Sequence, residues 1–158
     1  MKKFTIGFII FLLVSFCGMI LFVNSSPDFV GPVKFIEQEG ISEDNPIWNK
    51  TMDDMAQYLI EEGIIENDEY GKLSDGIATE ARLYSDIELY WWDVNNLDEN
   101  SDEYVAYKSA IENGSIDLWG SGNIMQVTVR GPFAIGYYGN YKGDPDKLLD
   151  VFSKYCSE

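Results

Sequence analysis

Glu88 carries the carboxyl group that is best placed in this sequence to act as a catalytic acid. It lies among aromatic residues in the run 87–94, and Asp117 is predicted on a neighbouring strand. Glycosidases use two carboxyl groups about 5–10 Å apart, one of them in an apolar setting that raises its pKa. Such a pair arises easily by chance among 27 acids, and catalysis needs a deep cleft rather than a flat sheet. A small glycan hydrolase is therefore kept as an alternative, and no catalytic residue is assigned.

Other catalytic and metal-binding chemistry finds little support in the sequence. There is no histidine, which excludes His-dependent nucleophilic sites, His-ligated zinc and His proton shuttles. The acidic stretch from Asp93 fits a calcium-binding loop at its first and third positions. It has Asp98 where glycine is needed and Tyr104 where glutamate is needed. We therefore predict no metal site and no cofactor.

Aromatic and polar residues alternate with core residues along the predicted strands, and they form a candidate recognition face. Successive side chains of a strand point to opposite faces. Flat rings beside carboxylates and amides suit sugar rings or peptide segments. The predicted ligand-binding residues are Glu88, Tyr90, Trp92, Trp119, Arg130 and Tyr138. The alternative is that a helix or the segment 24–46 covers this face, and the number of predicted helices favours it because one sheet face needs fewer.

The strands that carry these residues are predicted from alternating and aromatic-rich runs. The run 87–94 has large side chains on both faces, which is typical of a strand in the middle of a sheet. The other predicted strands are 116–119, 124–130 and 133–138, and Gly131-Pro132 links the last two as a hairpin. We expect one small antiparallel sheet in an α+β fold. Its predicted core face contains Ile87, Leu89, Trp91, Ile116, Leu118, Met125, Val127, Val129, Phe133, Ile135 and Tyr137.

Four helices are predicted to pack against this sheet, on the basis of capping residues and apolar spacing. Their predicted limits are Thr51 to Gly63, about Asp75 to Tyr84, Ser101 to about Glu112, and Asp144 to about Tyr155. Thr51 and Ser101 are expected N-caps, and Asp144-Pro145 combines an N-cap with a first-turn proline.

Residues 1–25 are predicted to be a transmembrane anchor or a signal peptide. Lys2 and Lys3 precede twenty uncharged, mostly apolar residues, 4–23. A spanning helix needs about 20 such residues and a signal peptide about 7–15, so the length favours the anchor. The lysines stay on the cytoplasmic side, which places the remainder outside, with secretion after cleavage as the alternative. Residues 26–46 contain three of the five prolines and are predicted as a tether, and residues 47–158 as one acidic domain.

The charge of the chain limits its partners. Without Lys2 and Lys3, nine bases stand against 27 acids, a formal charge of −18. Such a surface repels nucleic acid and anionic lipid headgroups. We therefore predict an exported or membrane-anchored protein with a non-enzymatic binding or interaction domain, whose partner is a glycan, a peptide or a protein. Besides the hydrolase, the remaining alternative is a structural subunit of a membrane assembly, with residues 4–23 contacting other helices.

Overall fold

Seven strands and three α-helices make up the described part of the chain, so the fold is α+β, as predicted. The structure is a computed structural model, and it describes Gln38 and residues 40–73, 76–118 and 120–157. In chain order the strands are β1 (Gly71–Lys72), β2 (Glu80–Tyr84), β3 (Ile87–Trp91), β4 (Ser115–Leu118), β5 (Asn123–Gln126), β6 (Thr128–Arg130) and β7 (Phe133–Tyr137). The helices are α1 (Met52–Glu61), α2 (Asp102–Asn113) and α3 (Pro145–Lys154), and a 3₁₀ helix spans Pro46–Asn49.

β3 lies at the centre of a five-stranded antiparallel sheet in the order β1-β2-β3-β7-β6. On one side Leu89 pairs with Arg82 of β2, and on the other it pairs with Ile135 of β7. Large side chains on both faces of β3 account for this position, because each face packs against its own layer. The predicted central strand is confirmed, and it ends at Trp91 rather than Val94.

α1, α3 and the 3₁₀ helix cover one face of this sheet. Apolar stripes on the two α-helices meet side chains of β3 and β7 in a first buried cluster. Its fully buried members include Met55, Leu59, Leu89, Phe133, Ile135, Leu148 and Phe152. The predicted caps are confirmed, since Thr51 Oγ1 accepts from the backbone N–H of Asp54 at 3.3 Å and Asp144 Oδ1 accepts from that of Asp146 at 3.0 Å. These caps satisfy N–H groups that have no partner inside the helix.

α2 and the β4–β5 hairpin cover the opposite face. β4 and β5 form a separate two-stranded sheet. A second buried cluster joins this hairpin and α2 to the central sheet. Its members include Ala81, Tyr90, Trp92, Tyr107, Ala110, Ile116, Met125, Val127 and Ala134. The central sheet is therefore buried on both faces.

The prediction of one four-stranded sheet is wrong, because the run 124–130 divides between two sheets. β5 pairs with β4, whereas β6 pairs with β7. Between them, Val127 donates its backbone N–H to Gly114 O at 2.9 Å, which holds the chain where it changes sheets. β1 and β2 are further strands that the sequence reasoning did not predict.

The predicted second helix is also wrong, because its C-terminal half forms β2. Residues 74 and 75, where that helix was expected to begin, lie outside the described residues. A two-residue turn at 85–86 pairs Tyr84 with Ile87. Pairing with the central strand satisfies the backbone of β2, and this tertiary contact overrides the moderate helix propensity of its residues.

The structure divides the predicted core face between the two clusters. The first contains Ile87, Leu89, Phe133 and Ile135, and the second contains Ile116, Met125 and Val127. Ile116 and Met125 belong to the second cluster because they lie on the separate β4–β5 hairpin. The hairpin link at 131–132 pairs Arg130 with Phe133 and Val129 with Ala134. Val129 therefore shares the face of Ala134 and not that of Phe133. Of the other predicted members, Trp91, Leu118 and Val129 are half-buried and Tyr137 is exposed.

Among the described residues, no helix is long and apolar enough to cross a bilayer. The predicted membrane segment 4–23 and most of the predicted tether lie outside those residues. The side-chain amide of Gln38 forms hydrogen bonds with both the N–H and the C=O of Gly131, each 2.7 Å long. Asn45 Nδ2 donates to Cys156 O at 3.1 Å. These bonds attach the last part of the predicted tether to the domain.

Candidate functional site

Glu88 lies on the face of β3 that α2 and the β4–β5 hairpin cover, and only 2% of its surface is exposed. The hydroxyl of Tyr90 donates to Oε2, and the hydroxyl of Tyr138 donates to Oε1. Gly136 is its cross-strand neighbour, and a Cβ atom there would lie 3.1 Å from Gln126 O. A glycine at this position therefore lets the β5 backbone come close to the sheet beside the carboxylate.

Both tyrosine hydroxyls hold their protons more tightly than a free tyrosine does. Burial raises the pKa of Tyr90, and the hydrogen bond to Glu88 raises it further. The hydrogen bond to Glu88, together with burial, raises the pKa of Tyr138 to about 12. Two neutral donors thus satisfy the buried carboxylate, which would otherwise be costly to remove from water.

Trp92 and Tyr90 belong to the protein interior. Both are buried, and Trp92 Nε1 donates to Ile77 O at 2.8 Å. The rings of Tyr90 and Trp92 stack with centroids 6.2 Å apart, and the ring of Tyr107 from α2 lies 5.0 Å from that of Trp92. The covered arrangement that the predicted helices favoured is therefore the one in the structure, and Tyr90 and Trp92 form no exposed platform.

The remaining predicted site residues do not join this group. Arg130 lies on the opposite face with Phe133, and its Nε donates to the backbone O of Tyr155. Burial lowers the pKa of Arg130. Trp119 lies outside the described residues. The structure thus brings together Glu88, Tyr90, Trp92 and Tyr138 but places Arg130 elsewhere, and the predicted ligand-binding role of these residues stays a prediction.

Asp117, the proposed partner of Glu88 in a hydrolase, belongs to the other sheet. It lies on β4, and its Oδ1 accepts from the backbone N–H of Gly122 at 2.9 Å. It borders a cavity of about 380 Å³ beside α2, whereas Glu88 lies between the hydroxyls of Tyr90 and Tyr138. In the part of the chain that the structure describes, no group of three or more Asp, Glu or Cys residues is arranged to hold a metal ion.

A larger concavity, of about 650 Å³, opens at the end of the central sheet where β2 turns into β3. We call it the sheet-end groove. Three chain segments form it: the loop after α1, the β2–β3 turn, and the loop after β7. Its lining includes Glu66, Glu69, Tyr84, Asp86, Tyr141 and Lys142.

Hydrogen bonds join the two turns that form one wall of the sheet-end groove. Tyr138 donates its backbone N–H to Asp86 O at 3.0 Å, and Asn140 Nδ2 donates to Asp86 Oδ1 at 2.8 Å. Ser85 has a φ of 54°, a left-handed conformation that lets the hairpin turn in two residues. The wall is therefore set by backbone geometry as well as by side chains.

An exposed tyrosine at the end of β7 lies at the edge of this groove. Tyr137 is 37% exposed, whereas its exposed neighbour Tyr138 directs its hydroxyl to Glu88 on the opposite face of the sheet. The ring of Tyr137 lies 5.6 Å from that of Tyr141, which lines the groove. Tyrosine with glycine and asparagine is the composition of many binding loops, because tyrosine offers a large amphipathic surface at low entropic cost.

Several polar groups of the groove remain free to meet a ligand. Among the described residues, no hydrogen bond or ion pair engages the side chains of Glu66, Glu69 or Lys142, and all three are exposed. Burial of its ring raises the pKa of Tyr84, which also accepts a hydrogen bond from Arg82 Nη1 at 3.3 Å. The groove thus combines the half-buried ring of Tyr141 with available carboxylates.

Sequence reasoning did not single out the sheet-end groove. Its residues come from three segments that only the fold brings together. One signal was present in the sequence: residues 137–143 contain three tyrosines, two glycines, one asparagine and one lysine. That composition distinguishes the loop from an ordinary hairpin end, and a search for such binding loops could have found it.

No family model, curated protein or solved structure matches this chain. Its function is therefore inferred from the geometry and chemistry of its own residues.

Proposed function

We propose that this chain is an exported or membrane-anchored protein whose acidic domain is a non-enzymatic binding module. The observation that carries the proposal is the sheet-end groove, a concavity of about 650 Å³ with aromatic rings and free carboxylates. Ligand pockets commonly measure about 300–1,000 Å³ and combine apolar or aromatic walls with a few polar groups. The groove fits that description better than the buried aromatic face does.

The described residues add nothing in favour of the hydrolase alternative. Both oxygens of Glu88 accept hydrogen bonds from tyrosines, and Asp117 fixes a turn on another sheet. The alternative of a structural membrane subunit depends on residues 4–23, which lie outside the described part of the chain.

Thermal unfolding of the full-length chain, in a mild neutral detergent, tests the binding proposal against a panel of cell-wall glycans and peptides. A ligand at 100 times its Kd stabilises the folded state by about 2.7 kcal/mol, which raises the melting temperature by several degrees. We expect at least one compound to do so, and Tyr141→Ala to abolish its effect. Tyr104→Ala, a half-buried tyrosine on α2, is the matched control and should keep the effect. A panel without any shift, or equal shifts in both variants, would refute the proposal.

The location of the protein is part of the same proposal. Residues 4–23 are long enough to span a bilayer, and Lys2 and Lys3 are expected on its cytoplasmic side. We expect the chain to stay in the membrane fraction after alkaline extraction, with its domain cleaved by protease added outside the cell. A soluble mature chain that begins near Ser26 would support the secreted form, and a domain protected from external protease would contradict export.

A further inference from the structure

We propose that the sheet-end groove binds a positively charged, extended polypeptide segment and takes up one of its arginine side chains. This inference rests on the proposed binding function and specifies the ligand class. It depends on three features of the groove: its charge, the aromatic ring of Tyr141 in its lining and the exposed ring of Tyr137 at its border.

The charge of the groove is complementary to a cation. Among the described residues, three carboxylates, of Glu66, Glu69 and Asp86, line it together with one ammonium group, that of Lys142. The carboxylates of Glu66 and Glu69 are exposed and, among the described residues, have no partner. The formal charge of the whole chain is −16, so its field also attracts cations from a distance.

The same structure shows how this kind of lining holds a guanidinium group. Arg82 lies next to the groove, and its Nη2 and Nε each lie 2.6 Å from a carboxylate oxygen, of Asp53 and Glu80 respectively. Its Cζ lies 4.3 Å from the centroid of the Tyr70 ring. Carboxylates beside a tyrosine ring therefore already bind one arginine in this fold.

The groove offers the same combination of groups to a ligand. The half-buried Tyr141 supplies the ring, and Glu66 and Glu69 supply the carboxylates, whereas the ring of Tyr84 beneath them is only 4% exposed. Arginine fits this combination better than lysine, because its planar guanidinium group stacks on aromatic rings and bonds carboxylates through two donors at once.

The border of the groove indicates a polypeptide rather than a small amine. The exposed ring of Tyr137, 5.6 Å from that of Tyr141, extends the surface beyond the groove itself. Such rings contribute most when a partner covers their apolar faces and still leaves their hydroxyls bonded. A peptide with neighbouring residues on both sides of its arginine covers this border, whereas a compact amine does not.

The test uses the full-length chain in neutral detergent micelles and a fluorescein-labelled heptapeptide, Gly-Ser-Arg-Gly-Arg-Ser-Gly. A second peptide has citrulline in place of both arginines, which keeps the shape and removes the charge. Fluorescence anisotropy is measured at about 20 mM and 150 mM NaCl. We expect saturable binding of the arginine peptide that weakens with salt, and binding of the citrulline peptide at least about tenfold weaker.

Two double variants with the same charge change locate the binding. Glu66→Gln with Glu69→Gln should weaken binding of the arginine peptide by about tenfold, since both carboxylates face the ligand. Glu43→Gln with Asp44→Asn, two exposed acids beside the 3₁₀ helix, should change it by less than about twofold. All four substitutions are at exposed positions, and unchanged melting curves confirm that the variants fold.

Each outcome distinguishes this inference from the proposed function. If both double variants lose binding of the arginine peptide equally, or if the two peptides bind equally well, the groove does not recognise arginine. If the arginine peptide does not bind but another panel compound gives a Tyr141-dependent shift in melting temperature, the binding function stands and the ligand class is wrong. If neither the anisotropy titration nor the thermal-unfolding panel detects binding, both the proposed binding function and the arginine ligand class are wrong.

Discussion

At the scale of single residues, the buried carboxylate of Glu88 has in the structure the aromatic surroundings that its sequence neighbours indicate. The sequence places it among aromatic side chains, and the structure shows that two of them, Tyr90 and Tyr138, donate hydrogen bonds to it. Tyr90 is fully buried, whereas Tyr138 reaches solvent. Glu88 therefore acts as a buried acceptor that links β3 to the chain just beyond β7.

The raised pKa of Tyr138, about 12, predicts a loss of stability at high pH. An ordinary tyrosine has a pKa of about 10, so the folded state holds this proton more tightly than the unfolded state does. The corresponding stability is fully present below about pH 10 and is lost as the pH rises through about 12. We expect the free energy of unfolding in urea to fall between pH 9.5 and about 11.5, and to fall less steeply in Tyr138→Phe. Parallel curves for the two proteins would contradict the hydrogen bond to Glu88.

The neighbouring tryptophans Trp91 and Trp92 should differ in the cost of their removal. Trp92 is fully buried in the second cluster, whereas Trp91 is half-buried at the edge of the first. We expect Trp92→Ala to lower the free energy of unfolding by about 3–5 kcal/mol and Trp91→Ala to lower it by less. Urea denaturation measures both. A larger loss for Trp91→Ala would mean that the two faces of β3 are assigned the wrong way round.

At the scale of elements, local signals identified most helices and strands, but not their pairing. The N-caps at Thr51, Ser101 and Asp144 could be predicted from the sequence because N-capping depends on neighbouring residues. The strand at 80–84 was missed because its residues also suit a helix and only pairing with β3 decides between the two. The face of Val129 was misassigned although a two-residue link already requires residues 130 and 133 to pair.

Gly136 should be intolerant of a side chain because of its place between two sheets. A Cβ atom there would lie 3.1 Å from Gln126 O and 3.2 Å from Cγ and Sδ of Met125. We expect Gly136→Ala to destabilise the fold by about 1–3 kcal/mol, by pushing the β4–β5 hairpin away from the sheet.

Gly139 provides the matched control, since no atom lies within 4 Å of a Cβ atom built there. We expect Gly139→Ala to leave stability within about 1 kcal/mol of the parent chain, or to raise it by reducing the freedom of the unfolded chain. Urea denaturation compares the two variants. Equal effects would show that the hairpin does not close over Glu88.

At the scale of the whole molecule, the central sheet is covered on both faces, so the candidate site lies at the end of the sheet. The sequence predicted an α+β fold and an aromatic face on the central strand, and it indicated that helices would cover that face. It could not identify the sheet-end groove, because residues 64–69, 84–87 and 141–143 meet only through long-range contacts, namely the pairing of β3 with β7 and the packing of α1 on the central sheet. The proposed binding function therefore depends on an arrangement that no single segment encodes.

Two-dimensional ¹H–¹⁵N correlation spectra test this account most directly. The full-length chain is titrated with the arginine heptapeptide or with the panel compound that raises the melting temperature most. We expect the shifted backbone resonances to come from residues 64–69, 84–87 and 137–143, which form and border the sheet-end groove. The indole N–H of Trp92 should stay unchanged, because it is bonded to Ile77 O in the buried cluster. Shifts centred on Tyr90 and Trp92 with none around the groove would contradict the account.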